Sequence, residues 1–176
     1  TSDMNVKASE FILMEKHLFK ALKNEEFVLY YQPYFEINTK TALGMEALIR
    51  LKSKELGLVS PGRFIPVLEE TGMIKEVGEW IFKSACGQIK NWQNKGYPVL
   101  PVSVNVSSVQ FRHKDLPEMV ERIIKEFSLD PRLLTLEITE STFMQDIEFT
   151  NSVLNKLKER GISISIDDFG TGYSSL

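Results

Sequence analysis

Three times after residue 100 the sequence alternates an apolar side chain with a small or polar one, and each run leads toward an amphipathic helix or the chain's last turn. Residues 102–106, 133–139 and 162–167 are the alternating runs; residues 116–127 and 146–160 are the helical ones between them. Strand–helix–strand units with short links impose parallel strands and right-handed crossovers. Few architectures satisfy that rhythm, and all are α/β.

The strands constrain the chain further. Successive side chains leave a strand on opposite faces. Val102, Val104 and Val106 oppose Ser103, Asn105 and Ser107. Leu134, Leu136 and Ile138 oppose Thr135, Glu137 and Thr139, and Ile162, Ile164 and Ile166 oppose Ser163, Ser165 and Asp167. An earlier run, residues 39–51, behaves the same way: Leu43, Met45, Ala47 and Ile49 oppose Gly44, Glu46, Leu48 and Arg50. Each strand therefore has an apolar face suited to packing under helices. Its other face is small or polar, which suits the inside of a closed or strongly curved sheet. Glu46, Asn105, Glu137 and Asp167 lie on those inner faces. Three carboxylates cannot converge in a poorly solvated place without a compensating cation. The parity thus predicts that these four residues meet around a metal ion.

Oxygen ligands alone favour a hard cation, Mg²⁺ or Mn²⁺. The two histidines, His17 and His113, have no metal-ligand spacing, and no Ser/His/Asp or Cys/His set can be assembled. There is no phosphate-binding glycine loop and no dinucleotide fingerprint. Asp167 is followed by Asp168-Phe169-Gly170-Thr171-Gly172. Adjacent aspartates at a strand end point in different directions, which places Asp168 to hold a second metal. Two metals bridged by water form a common arrangement for cleaving a phosphodiester.

The rest of the chain is ordinary for a globular domain. It has 176 residues, 43% hydrophobic and 26% charged, and a net charge of −3 that argues against a general nucleic-acid surface. Cys86 is the one cysteine, so no internal disulfide forms, and it reads as a buried, inert thiol in a reducing, cytoplasmic setting. No apolar run is long enough to cross a bilayer. Residues 4–23 read as an amphipathic helix, with Phe11, Ile12, Glu15, Leu18, Phe19 and Leu22 giving the spacing. Residues 27–35 read as a strand, antiparallel to the next because the link between them is short. Residues 52–62 read as a polar loop, and residues 63–70 and 76–95 as helices. Val77, Ile81, Ala85, Ile89 and Trp92 form the stripe of the second of these.

Six ordered blocks make the chain resemble the EAL domain family, the cyclic-di-GMP phosphodiesterases. They are Tyr30-Tyr31-Gln32-Pro33, Glu46-Ala47-Leu48 with Ile49-Arg50, Phe64-Ile65-Pro66, Ser103-Val104-Asn105-Val106-Ser107, Leu136-Glu137-Ile138-Thr139-Glu140, and Asp167-Asp168-Phe169-Gly170-Thr171-Gly172. The resemblance implies a TIM-like (β/α) barrel with an antiparallel first strand, here cut to about five strands. It implies that Glu46, Asn105, Glu137 and Asp167 bind one Mg²⁺ or Mn²⁺ and Asp168 a second. It implies that Gln32, Leu48 and Arg50 touch the dinucleotide, with Arg50 on a phosphate. A guanidinium fork suits that task, and Arg50 shares the Glu46 face by parity. Glu140 would steady the loop after its strand; the competing reading is an exposed carboxylate.

The implied activity is hydrolysis of cyclic-di-GMP to linear 5′-pGpG, with Glu46, Asp167 and Asp168 in the catalytic centre. A receptor that binds the dinucleotide without cleaving it, or an interaction module using only the fold, are the alternatives. Thr1-Ser2-Asp3-Met4-Asn5 resembles the connector after a GGDEF domain. Residues 1–24 then read as an interdomain helix, and residues 25–176 as the N-terminal part of an EAL domain. Expected partners are cyclic-di-GMP, an upstream GGDEF domain and, as an open alternative, a second copy of the chain; neither a nucleic-acid polymer nor a membrane contact by this segment is expected. The sequence departs mildly from the family at Leu51 and Leu68, where Trp and Ala are common. The family's later lysine, glutamate and glutamine are not in the sequence, and an eight-stranded barrel takes about 250 residues. The 176 residues by themselves are therefore expected to be inactive or nearly so, which an assay of purified chain with Mg²⁺ checks directly.

Overall fold

The computed structural model describes residues 2–167, with side-chain surroundings for 8–144 and 146–167. Six strands form one mixed sheet: β1 (Phe27–Phe35), β2 (Ala42–Ser53), β3 (Gly57–Val59), β4 (Val102–Asn105), β5 (Leu134–Thr139) and β6 (Ser163–Asp167). The order is β1-β2-β4-β5-β6, with β3 paired to β2. The helices are α1 (Ser2–Ala21), α2 (Pro61–Glu70), α3 (Ile74–Asn94), α4 (Ser108–Phe111), α5 (Leu116–Glu126), α6 (Glu140–Gln145) and α7 (Ile147–Glu159). Among the described residues, no helix is long and apolar enough to cross a membrane.

The chain folds as two compact units. One takes the described residues up to Tyr30 together with Ile49–Val77; the other takes Tyr31–Leu48 and the described residues from Gly78 onward.

In the first unit, Lys52 N–H donates to the Glu26 carbonyl at 2.7 Å, tying the start of β1 to the end of β2. Residues 52–62 are not a loop throughout. The Ser53 hydroxyl accepts from the N–H groups of Glu55 and Leu56 at 3.2 and 3.3 Å, and Gly57 takes φ +69°. A turn built this way sends the chain back, so Leu51, Lys52 and Ser53 pair antiparallel with Val59, Leu58 and Gly57. A three-residue strand is too short to leave a periodic signal. This makes six strands where the sequence predicts five. Helix α1 buries Met14, Leu18 and Ala21, whereas Ile12 and Phe19 are 51% and 69% exposed. The predicted stripe is thus turned: Met14, not Ile12 or Phe19, completes the inward face with Leu18. His17 is mostly covered, with Nε2 3.5 Å from a Glu55 carboxylate oxygen.

In the second unit, Glu36 N–H donates to the Thr41 carbonyl at 2.9 Å, closing the hairpin between β1 and β2. That bond at the adjacent ends, and the Glu26–Lys52 bond at the far ends, make the two strands antiparallel, as the short link predicts. β2, β4, β5 and β6 run parallel. Val102, Val104, Leu134, Leu136 and Ile138 on their apolar faces are buried, as are Ile123 of α5 and Leu157 of α7. Ile166, on the same face of β6, remains 41% exposed, so that strand's apolar face is not fully covered. Ile81, Ala85 and Ile89 of the predicted α3 stripe are buried.

Two short helices escaped the periodicity. α4 comes after β4 and α6 after β5; at four and six residues neither is long enough to show a helical repeat. Both announce themselves instead by their caps. Ser107 Oγ accepts from Gln110 N–H at 3.3 Å at the start of α4, and Thr139 Oγ1 accepts from Thr142 N–H at 3.4 Å at the start of α6.

Candidate functional site

The parallel ladder decides how the four expected ligands stand. Glu46 pairs with Ser103, two residues before Asn105. Asn105 pairs directly with Glu137. Ser165 is the partner of Glu137, and Asp167 lies two residues beyond it. All four share one face, and they step forward by four residues across three strand interfaces, about 13 Å of stagger at 3.3 Å per residue. Three interfaces are about 14 Å wide. A strand tilt of about 40°, the value of closed barrels, would turn such a diagonal into one level. The register thus puts the four on the shared face that alternation gives, and adds what parity lacks: the four positions lie in a row across the strands' carboxyl ends.

Glu46 and Asn105 touch. The Asn105 amide donates from Nδ2 to Glu46 Oε1 at 2.7 Å. Glu137 is half-buried, and its carboxyl is held above the usual carboxylate range. Burial is the main cause; a hydrogen bond from Ser103 pulls the other way, and the charges of Glu46 and Asp167 push it up further. Ser103, 1% exposed, is a site residue that strand parity marks only as one more small inner-face side chain. Its register opposite Glu46 is the signal that finds it.

Asp167 ends β6 and is exposed. Asp168 lies outside the described residues. Among the described residues, no three His, Cys, Asp or Glu side chains converge closely enough to hold a metal by themselves. Asn105, an amide, stands among the carboxylates. Tyr31 packs edge-on against Trp92 at 5.1 Å, and burial, with the neighbouring Cys86, pushes its hydroxyl up to about 12. Gln32, next along β1, is exposed and leaves the strand on the face away from Trp92. Leu48 and Arg50 are half-buried and come after Glu46 at two-residue steps on β2. Arg50 donates from Nη1 to the Ile49 carbonyl at 2.8 Å. Glu140 opens α6 and is 9% exposed, which removes the reading of an exposed carboxylate. Cys86 is fully buried and its thiol is pushed up to about 12, chiefly by burial, so it is inert as the sequence predicts.

The raised Glu137 carboxyl has a measurable consequence. Its folded value lies above the 4.5 of an unfolded glutamate, so between the two the folded protein holds a proton that the unfolded chain has released. Stability contributed by this group is then present below pH 4.5 and lost as pH rises through the folded value. Urea unfolding of the metal-free protein across that window is expected to show a downward slope that Glu137→Gln flattens. An identical slope in the variant would contradict the arrangement.

The EAL domain family model matches residues 15–176. The chain is 46% identical over 162 residues to the signaling protein YkoW of Bacillus subtilis, covering 92% of this chain and 20% of that protein. It is 41% identical over 175 residues to the bifunctional diguanylate cyclase/cyclic di-GMP phosphodiesterase MucR of Pseudomonas aeruginosa, covering 99% of this chain and 26% of that protein. Among solved structures, a MucR phosphodiesterase in complex with c-di-GMP superposes with a TM-score of 0.89 at 40% identity, covering 93% of this chain and 66% of that one. The chain thus spans about a fifth to a quarter of the length of these two curated relatives. With the family model matched from α1 to the last residue, and the mixed sheet and its staggered row of polar residues in place, the chain belongs to the EAL domain family, whose fold is a TIM-like barrel.

Proposed function

We propose that the protein carrying this chain hydrolyses cyclic-di-GMP to linear 5′-pGpG with Mg²⁺ or Mn²⁺. The observation that carries this reading is the Glu46–Asn105 contact beside a Glu137 whose carboxyl is raised by burial and by its carboxylate neighbours. The donors fit a hard cation: they are carboxylate and amide oxygens with no sulfur or imidazole among them. Their mutual repulsion is the kind that a divalent ion relieves.

In this reading Glu46, Asn105, Glu137 and Asp167 hold one cation, and Asp168 holds a second. When bound, the cations supply a water of lowered pKa and neutralise charge on the phosphoryl oxygens. Asn105 now gives its N–H to Glu46; the carbonyl oxygen of the same amide is the atom a cation takes. Ser103 steadies the Glu137 carboxylate once it is ionised. Arg50 uses Nη1 on the Ile49 carbonyl, which orients the fork and leaves its other N–H donors for a phosphate. Gln32 and Leu48 take the dinucleotide, and Glu140 braces the loop after β5 from its buried place at the start of α6. A GGDEF domain before α1 is part of the proposal, supported by the similarity to a bifunctional cyclase/phosphodiesterase.

Calorimetry with cyclic-di-GMP in Ca²⁺, beside a hydrolysis assay in Mg²⁺, tests the reading on the protein carrying this chain. Binding with turnover to 5′-pGpG is expected. Binding without turnover selects a receptor, and no binding removes the dinucleotide altogether.

A further inference from the structure

Asn105 is the last residue of β4, and the residues just beyond it are unusually well held. Val106 N–H donates to the Glu137 carbonyl at 2.8 Å, continuing the ladder one residue past the strand. Ser107 then caps α4 in both directions. Its hydroxyl accepts from Gln110 N–H at 3.3 Å, and its own N–H donates to Gln110 Oε1 at 3.1 Å. Gln110 is only 6% exposed, a long amide buried in a helix of four residues. Its other end lies against the backbone of α3. A Cβ at Gly78 would stand 1.8 Å from Gln110 Nε2, closer than any side-chain carbon can come. A side chain at that position would displace the Gln110 amide.

The hydroxyl alone would start a short helix. The reciprocal bond does something more. It fixes the Ser107 N–H, two residues past Asn105, to a side chain that is itself wedged on α3. We propose that Gln110, seated against Gly78, is a positioning residue for Asn105. It sets where β4 stops, and with it the height at which the Asn105 amide stands between Glu46 and Glu137. This rests on the reading of Asn105 as a metal ligand.

The test is Mn²⁺ affinity measured by water-proton relaxation on the protein carrying this chain, with the thermal midpoint recorded for each variant. Partners behind a ligand typically shift metal affinity by about 10–100-fold. Gln110→Ala and Gly78→Ala are each expected to weaken Mn²⁺ binding by about 10-fold, the low end of that range. The double variant is expected to be no weaker than Gln110→Ala alone, because the added Cβ then meets no amide. Gln110→Glu keeps the acceptor for the Ser107 N–H and is expected to retain most of the affinity; with Gly78→Ala it carries the test should Gln110→Ala fail to fold. A folded Gln110→Ala protein with wild-type Mn²⁺ affinity, whatever its thermal midpoint, overturns the inference and leaves the metal site standing. A wild-type protein that binds no Mn²⁺ overturns both.

Discussion

In the protein carrying this chain, Glu46→Gln is expected to lower the proposed Mg²⁺-dependent hydrolysis of cyclic-di-GMP by about 10³-fold while leaving the metal-free protein at least as stable as the wild type. The substitution is chosen because it separates charge from contact. A glutamine keeps an oxygen that accepts from Asn105 Nδ2, so the 2.7 Å bond across β2 and β4 survives. What disappears is one negative charge in the proposed metal shell. A bound divalent ion contributes several kcal/mol to a phosphoryl transition state, and about 4 kcal/mol corresponds to 10³ in rate. The stability half comes from Glu137. The Glu46 charge is one of the causes that hold the Glu137 carboxyl high, and a carboxyl held high costs the fold stability at neutral pH. Removing that charge lowers the cost. Rate assays at saturating Mg²⁺, with thermal melts in EDTA, read both halves. Wild-type turnover in Glu46→Gln would remove Glu46 from the metal shell. A large fall in the metal-free melting temperature would mean that the carboxylate serves packing instead.

Much of this site was legible because strand parity is an exact period of two. Placing Glu46, Asn105, Glu137 and Asp167 on one face needs only the alternation, and in the sheet register the four share that face. Parity cannot say how far one strand has slid along the next. The diagonal from Glu46 to Asp167 comes from pairings between residues dozens of positions apart, and no local pattern encodes them. Ser103 was missed for that reason: its hydroxyl matters only because the slide puts it between Glu46 and Glu137. Helix α1 shows a different limit. Ile12 and Phe19 fit a helical stripe as well as Met14 does, and only the partner surface decides which face turns inward. Elements of three to six residues, such as β3, α4 and α6, fall below the length at which a period can be counted. Their signals are backbone N–H bonds accepted by the hydroxyls of Ser53, Ser107 and Thr139.

Leu136→Ala tests the opposite face of the same strand. Leu136 is fully buried at the centre of β5, paired with Val104 on one side and Ile164 on the other. Truncation removes three carbons from a packed layer and leaves a cavity between neighbours that backbone pairing holds in place. Buried leucine truncations cost about 2–5 kcal/mol, and a site fixed on both sides by a ladder relaxes little, so about 4 kcal/mol is expected. That is a large part of the roughly 5–15 kcal/mol that holds a domain folded. It is read as a fall in the urea midpoint with an unchanged m-value. Below its melting temperature the same substitution in the protein carrying this chain is expected to keep the proposed turnover, because the side chain leaves the strand away from Glu137. Glu46→Gln and Leu136→Ala thus divide the sheet by face: one loses rate and keeps stability, the other loses stability and keeps rate. A Leu136→Ala protein that stays as stable as wild type but loses turnover would reverse the assignment of the two faces, and with it the placing of Glu137 in the site.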